Sequence, residues 1–401
     1  MIESRYQVDI PYMDMTSFVF STGTPSSHES PQYFDADVPS KCFTMAQAKV
    51  WVKQFAKGLQ DIGLDPNGKV LLFSENRFVL ELHYQIKDSE ANILLVGQKQ
   101  VSVALEAARQ AGIDHKNVYL FCDPKEEVPA EISSRIAPWT SIWRPSEEVQ
   151  SWSWNEIDTR EDAEGTTAIT NYSSGKTGLP KAVEISHYNI VANCTQLLYK
   201  RPIDPNTQKS IERKKRLAIS GERWLAPLPM YHAYGQAYYC VNAAILQAKV
   251  FITKSFSVQK YLMYMDIYRV TFMATVPAIM ATISKQPNPS IHNLRAIETV
   301  LSGSAPLSPD LGFAPDDEDD GSIGWLNPNR AARIDRQDDR DFGGSAPQGA
   351  TVGEIWVAGP NIMKGYYKKL KETGEAIVVV GCERVTLDIS TIGDAYTSWI
   401  D

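Results

Sequence analysis

At 401 residues the chain is too long for one simple core and calls for two or three packed units. Its 43% hydrophobic and 22% charged residues are ordinary for a soluble globular protein, and a formal net charge of −8 argues against a general nucleic-acid binder. The longest apolar runs, Val-Leu-Leu-Phe at 70–73 and Ile-Leu-Leu-Val at 93–96, are strand-sized, so no membrane span is expected.

In chain order, the first predicted element is a helix over Thr44–Gly63. Thr44 is a fitting N-cap, Trp51, Phe55, Leu59 and Ile62 recur at helical spacing, and Gly63 is a fitting stop. Strands follow at Lys69–Phe73, Ala91–Gly97 and Asn117–Phe121, with a helix over Val103–Gly112 between the second and third. Such alternation predicts βαβ units and a largely parallel sheet, an α/β fold. Further on, the β-prone stretch from Thr166 runs into a Ser/Gly turn, and His187–Lys200 has helical character. Ala248–Thr253 reads as a strand, Pro277 suits the first turn of another helix, and Ala296–Gly303 is a strand that breaks at its glycine. Beyond Leu311 the texture changes to the acidic run Asp316–Asp320 and the loop-like stretch Asp335–Gly349, before Gly353–Pro360 returns to strand character. The acidic run lacks the spaced ligands of a calcium loop. The expected organisation is therefore an α/β region over 1–310 and a small β-rich unit over 311–401.

The five cysteines, Cys42, Cys122, Cys194, Cys240 and Cys382, are scattered without a CxxC pair and read as reduced thiols. No basic and apolar leader opens the sequence, and no Ser-Lys-Leu-like address closes it, so a cytoplasmic location is expected, with a peroxisomal one open if the true C-terminus lies further on.

The stretch Asn171–Glu184, Asn-Tyr-Ser-Ser-Gly-Lys-Thr-Gly-Leu-Pro-Lys-Ala-Val-Glu, holds the strongest chemical signal. Its Gly-Lys-Thr also ends the Walker A loop, but that loop needs a glycine separated by four residues from Gly175, and the position is Thr170. What remains is a turn of Ser173, Ser174, Gly175, Lys176, Thr177 and Gly178, followed by Pro180 and Lys181. Small residues in succession let backbone N–H groups converge on an anion, hydroxyls add donors, and Lys181 adds a point charge. On spacing alone it reads equally as an exposed Gly/Ser turn with two solvated lysines.

This stretch resembles the phosphate loop of the adenylate-forming enzymes, the superfamily of acyl-CoA synthetases, luciferases and peptide-synthetase adenylation domains. Lys176 stands where Thr is usual and Ala182 where Gly is usual. Four further segments resemble family motifs in the right order. Pro227–Gln236 resembles the motif in which a His and an aromatic residue flank the acid pocket, which would place His232 near the acid and ATP and Tyr234 in the pocket wall. Val300–Ser308 resembles the turn that packs on adenine, implicating Gly303, Ser304, Ala305 and Pro306, with Gly303 also lining the acid pocket. Val352–Lys369 resembles the family's Gly-Glu block, and the Gly-Asp at 393–394 resembles the segment whose carboxylate binds the ribose hydroxyls, which points to Asp394. The wording of several stretches is most similar to 4-coumarate–CoA-ligase-type enzymes.

The resemblance implies the large N-terminal region of the family, with ATP, Mg²⁺ and coenzyme A as co-reactants and a small carboxylic acid, aromatic or medium-chain, as substrate. Lys181 and His232 would be catalytic. The sequence departs from the pattern in three places. A helix and Gly-rich stretch are missing after Phe73, a Gly-Tyr-Gly-Met-Thr-Glu-like segment is missing after Pro306, and the mobile C-terminal domain with its lysine is missing after Asp401. Two readings follow: an acyl-CoA synthetase, or a catalytically impaired remnant of one that at most binds nucleotide.

Overall fold

The computed structural model describes residues 2–74, 79–173, 179–200, 208–286, 296–305, 326–335, 353–380 and 383–386. The chain divides into two units, Ala46–Asn155 and the remainder formed by Met1–Met45 with Glu156–Asp401. The boundary expected near Leu311 falls outside the described residues.

The smaller unit carries the first predicted βαβ pattern. Strands Val70–Phe73, Ile93–Val96 and Val118–Leu120 pair in parallel in sequence order, with helices Val79–Ser89 and Val101–Ala111 between them. All four residues of Ile93–Val96 are buried, because both faces of this central strand are covered. Leu94 and Val96 pack with Phe73, Leu82 and Ala104 on one face. Ile93 and Leu95 pack with Tyr119, Phe55 and Trp139 on the other. Gly112 takes φ 81° and returns its N–H to the carbonyls of Ala108 and Arg109, ending its helix in the left-handed conformation that glycine tolerates best. The predicted first helix runs Met45–Asp61, beginning directly after Thr44, which also ends the strand Cys42–Thr44.

The larger unit is built around a six-stranded sheet in the order 299–302, 272–275, 223–226, 249–252, 31–35 and 42–44. All neighbours are parallel except the last pair. Side chains alternate across it: Trp224, Phe272 and Ala274 face one core, Leu225, Phe251 and Met273 the other. Two antiparallel sheets complete the unit. One is the hairpin Thr167–Ser173 and Lys181–Ser186 with Gly365–Tyr366 at its edge. The other has five strands in the order 2–3, 331–335, 354–358, 383–386 and 377–380. The strand expected at Gly353–Pro360 lies in this second sheet as Glu354–Ala358, together with the chain's first residues. The acidic run 316–320 lies outside the described residues.

Helix His187–Lys200 anchors the N-terminal segment. Met15 N–H donates to His187 Nδ1 at 3.0 Å, while Asp14 caps the helix Met15–Phe20 by accepting from Ser17 N–H. Burial holds the His187 imidazole below its ordinary value of 6.5, with Asp14 opposing the shift. The native state therefore refuses a proton that the unfolded chain accepts. Stability should be full above pH 6.5, fall as pH drops below it, and level off beneath the native His187 value. Thermal unfolding followed from about pH 7.5 to about pH 5 checks this, because His187→Asn, which keeps an acceptor but cannot titrate there, should flatten the acid limb.

Candidate functional site

Strands 223–226, 272–275 and 299–302 run in parallel, and their carboxyl ends release three loops at one edge of the sheet. That edge is where open α/β sheets bind ligands. The first loop is Pro227–Gln236, and the last begins at Gly303, so two of the sequence-predicted motifs arrive together.

Tyr234 joins them. Its ring is buried and stands edge-on to Tyr238 at 5.1 Å, and its hydroxyl lies 3.2 Å from the carbonyls of both Thr275 and Leu301. With its hydroxyl engaged by the backbone, what Tyr234 can offer a ligand is its ring. Gly303 is buried, and its N–H donates to Thr275 O at 3.3 Å. Ser304 follows with φ 72°, a left-handed backbone that costs a non-glycine residue energy, and Ala305 is exposed. Just before the turn, Ser302 Oγ is buried with no partner among the described residues.

His232 is half-buried and caps the short helix Ala233–Gly235. Its Nδ1 accepts from Tyr234 N–H at 3.2 Å, so in the neutral ring the proton sits on Nε2, which becomes a donor. Immediately beyond, Gln236–Asn242 winds as a π-helix between two α-helical turns, a feature frequent at functional sites. Side chains from a distant strand bond carbonyls within and just after this segment: Tyr33 hydroxyl donates to Tyr239 O at 2.9 Å and Gln32 Nε2 to Ala243 O at 2.8 Å.

The phosphate-loop candidate is bounded by two paired antiparallel strands. Ser173, buried, ends one strand and Lys181 begins the next, the two being direct partners, with Ser173 hydroxyl 3.4 Å from Lys181 O. Ser174, Gly175, Lys176, Thr177 and Gly178 between them lie outside the described residues, as do Pro306 and Asp394. Lys181 Nζ stands over the Tyr366 ring, 5.0 Å from its centroid. Tyr366 reaches this place because Gly365–Tyr366 pairs with the hairpin, Tyr366 opposite Val183.

An amide pair unites the hairpin with the His232 loop. Asn171 Nδ2 donates to Gln236 Oε1 at 2.9 Å, Gln236 Nε2 returns a bond to Asn171 Oδ1 at 3.3 Å, and it also reaches Tyr231 O at 3.1 Å. Asn171 stands two residues before Ser173, and Gln236 four after His232. Ser173 and Lys181, His232 and Tyr234, and Gly303 to Ala305 thus belong to one connected constellation. The reading of the sequence assigned no role to Asn171, Gln236 or Tyr366. Asn171 and Gln236 border the motifs, but nothing local marks two amides 65 positions apart as partners.

The sequence profile of the family described as AMP-binding enzyme matches residues 79–314, well over half of the chain. Acyl-CoA ligase azaF of Aspergillus niger is 26% identical over 90% of this chain and 73% of its own length. Phenylacetyl-CoA ligase epaB of the same species is 26% identical over 90% of the chain and 72% of that protein. Among solved structures, the luciferase-like enzyme of the nonluminescent mealworm Zophobas morio superposes with a TM-score of 0.72 at 16% identity, covering 96% of this chain and 94% of that one. ATP-bound MatB of Rhodopseudomonas palustris superposes with a TM-score of 0.69 at 18% identity, covering 93% and 75%. A family match of this extent, over the same hairpin and loops that the fold draws together, makes the chain a member of the AMP-binding enzyme family.

Proposed function

We propose that the chain activates a small carboxylic acid with ATP, forming an acyl-adenylate and pyrophosphate, and passes the acyl group to coenzyme A. The observation that carries this reading is the constellation at the sheet's carboxyl edge, where the strand ends Ser173 and Lys181, a His-bearing loop and the start of a Gly-Ser turn are tied by the Asn171–Gln236 pair and the Tyr234 hydroxyl.

The division of labour follows from the groups available. The stretch Ser173–Gly178 offers backbone N–H and hydroxyl donors to the β- and γ-phosphates, and Lys181 brings a positive charge to the same anion. His232 Nε2–H donates to the acid's carboxylate and holds one oxygen in line with the α-phosphorus. That oxygen forms the new P–O bond as the bond to pyrophosphate breaks. The thiol of coenzyme A then attacks the acyl carbon, forms the C–S bond, loses its proton and expels AMP. Positioning and charge stabilisation supply the rate. Gly303, Ser304, Ala305 and Pro306 line the nucleotide side, Asp394 takes the ribose hydroxyls, and the rings of Tyr234 and Tyr238 give the acid an apolar wall suited to an aromatic or medium-chain body. Mg²⁺ would enter with ATP and offset the charge of its phosphates.

One observation favours a second reading, a nucleotide-binding remnant. The sequence between Pro306 and Asn327 contains no Gly-Tyr-Gly-Met-Thr-Glu-like stretch. Acid-dependent exchange of radiolabelled pyrophosphate into ATP, measured on the purified chain with a panel of aromatic and medium-chain acids, separates the two. Exchange with any acid supports the ligase. A folded chain that binds ATP and exchanges with none supports the remnant, and ATP hydrolysis without acid contradicts both.

A further inference from the structure

Among the described residues, helix Gln208–Ser220, Gln-Lys-Ser-Ile-Glu-Arg-Lys-Lys-Arg-Leu-Ala-Ile-Ser, is fastened to the rest of the larger unit along one side. Arg216 makes a two-pronged pair with Glu298 at 2.9 Å on each arm, and Arg213 Nη2 donates to Thr299 Oγ1 at 2.7 Å. Arg213 and Leu217 are its half-buried positions, one turn apart on the fastened side.

The opposite side breaks the usual rule of helix patterning. Ile211, Lys214, Lys215, Ala218 and Ile219 fall at i, i+3, i+4, i+7 and i+8, the spacing that normally marks a face turned to a core. Here all five are exposed, Ile219 to 90%. The stripe contains two isoleucines, two lysines and no acidic residue. Glu212, the helix's one carboxylate, lies off its centre and accepts from Gln208 Nε2 at 2.7 Å. A chain of net charge −8 thus presents a local face that is both basic and apolar.

We propose that this face docks on an anionic membrane surface. Ile211 and Ile219 flank Lys215 on this face with Lys214 at its border, a mixture that suits the boundary between headgroups and acyl chains. The apolar side chains enter, while the lysine stems lie alongside and carry their ammonium groups up to lipid phosphates. A nucleic acid would be met by stacking rings or forked guanidinium groups, and the stripe has neither. The attachment is peripheral, since no helix among the described residues is long and apolar enough to cross a membrane. Its place in the fold suits docking. Glu298 and Thr299 stand where strand 299–302 begins, and the candidate site lies where that strand ends, so a docked helix leaves the site's edge uncovered.

Co-sedimentation of the full chain with phosphatidylcholine vesicles, with and without about 30% phosphatidylserine, tests the proposal. Binding is expected to the anionic vesicles alone and to weaken several-fold between about 50 and about 300 mM salt. The double variant Lys214→Glu/Lys215→Glu should lose roughly tenfold or more in partitioning, because two attractions become two repulsions. Ile211→Ser/Ile219→Ser should lose several-fold at unchanged salt dependence, with both variants melting as the parent does. Equal binding to neutral vesicles, full binding by the lysine double variant, or binding to an RNA homopolymer in place of vesicles would each overturn it.

Discussion

Lys181→Ala is expected to lower acid-dependent ATP–pyrophosphate exchange by on the order of 10²- to 10³-fold, the scale lost when one preorganised charge or donor is removed from a developing anion. The lysine begins a strand whose partner residue, Ser173, closes the other side of the hairpin, so its backbone is fixed by the ladder. Its ammonium is held over the Tyr366 ring at 5.0 Å from the centroid, which gives it a defined resting place. Stability should fall modestly, because a cation–π contact between a half-buried lysine and a buried ring contributes about 1–2 kcal/mol. A loss of exchange far beyond what a small drop in melting temperature explains would therefore locate the effect in the site. Lys181→Arg should recover part of the activity, since charge is kept while the point geometry is not. Tyr366→Phe should behave as the parent, and Tyr366→Leu should raise the KM for ATP several-fold with a smaller change in kcat. Exchange undiminished in Lys181→Ala would remove this residue from the chemistry, and the stretch Ser173–Gly178 would then stand as an ordinary surface turn.

The parts of this architecture that were legible beforehand are those where burial dictates residue type. Ile93–Val96 reads as a strand because a strand covered on both faces must be continuously apolar, whereas Phe272–Thr275, buried as fully, was not singled out. Gly112 and Gly303 mark ends that the backbone itself imposes, and Pro277 does begin its helix. The half-exposed partners were harder. Lys181–Ser186, Lys-Ala-Val-Glu-Ile-Ser, mixes charge with aliphatic residues and owes its strand to pairing with Thr167–Ser173. Gly365–Tyr366 joins that hairpin from far along the chain, by a register that no local pattern encodes. Nothing around Arg330 announces a buried cation, yet it is 3% exposed, Nε and Nη2 have no partner among the described residues, and burial lowers its value to about 10. Within the site the same division holds. The motif letters identified which segments carry chemistry, whereas the contacts that assemble them, Asn171 with Gln236 and Tyr234 with two strand ends, depend on tertiary geometry.

Gly235→Ala should damage both fold and activity although alanine is the better helix former. Gly235 has φ −64°, a conformation open to any residue, so its requirement is space. A Cβ there would stand 2.2 Å from Pro229 O and 2.9 Å from Met230 Cα, both backbone atoms of the loop that carries His232. Relief must come from moving that loop away from the helix, and the turn is itself closed by His232 N–H donating to Pro229 O at 3.2 Å. Overpacking of this kind costs about 1–3 kcal/mol, and a displacement near 1 Å at a positioning group is enough to cost about 10²-fold in rate. Loss of exchange should therefore exceed what the fraction unfolded explains, because His232 and Gln236 shift together and the amide pair with Asn171 loosens. Gly374→Ala supplies the contrast, since a Cβ there meets nothing within 4 Å and the glycine lies within the helix Leu370–Ala376. That change should leave activity intact and raise stability by up to about 1 kcal/mol. Circular dichroism melts and exchange assays on the two variants make the comparison. If Gly235→Ala melted and exchanged like the parent, the loop Pro227–Gln236 would be free to shift without consequence, and its role in orienting His232 would fall.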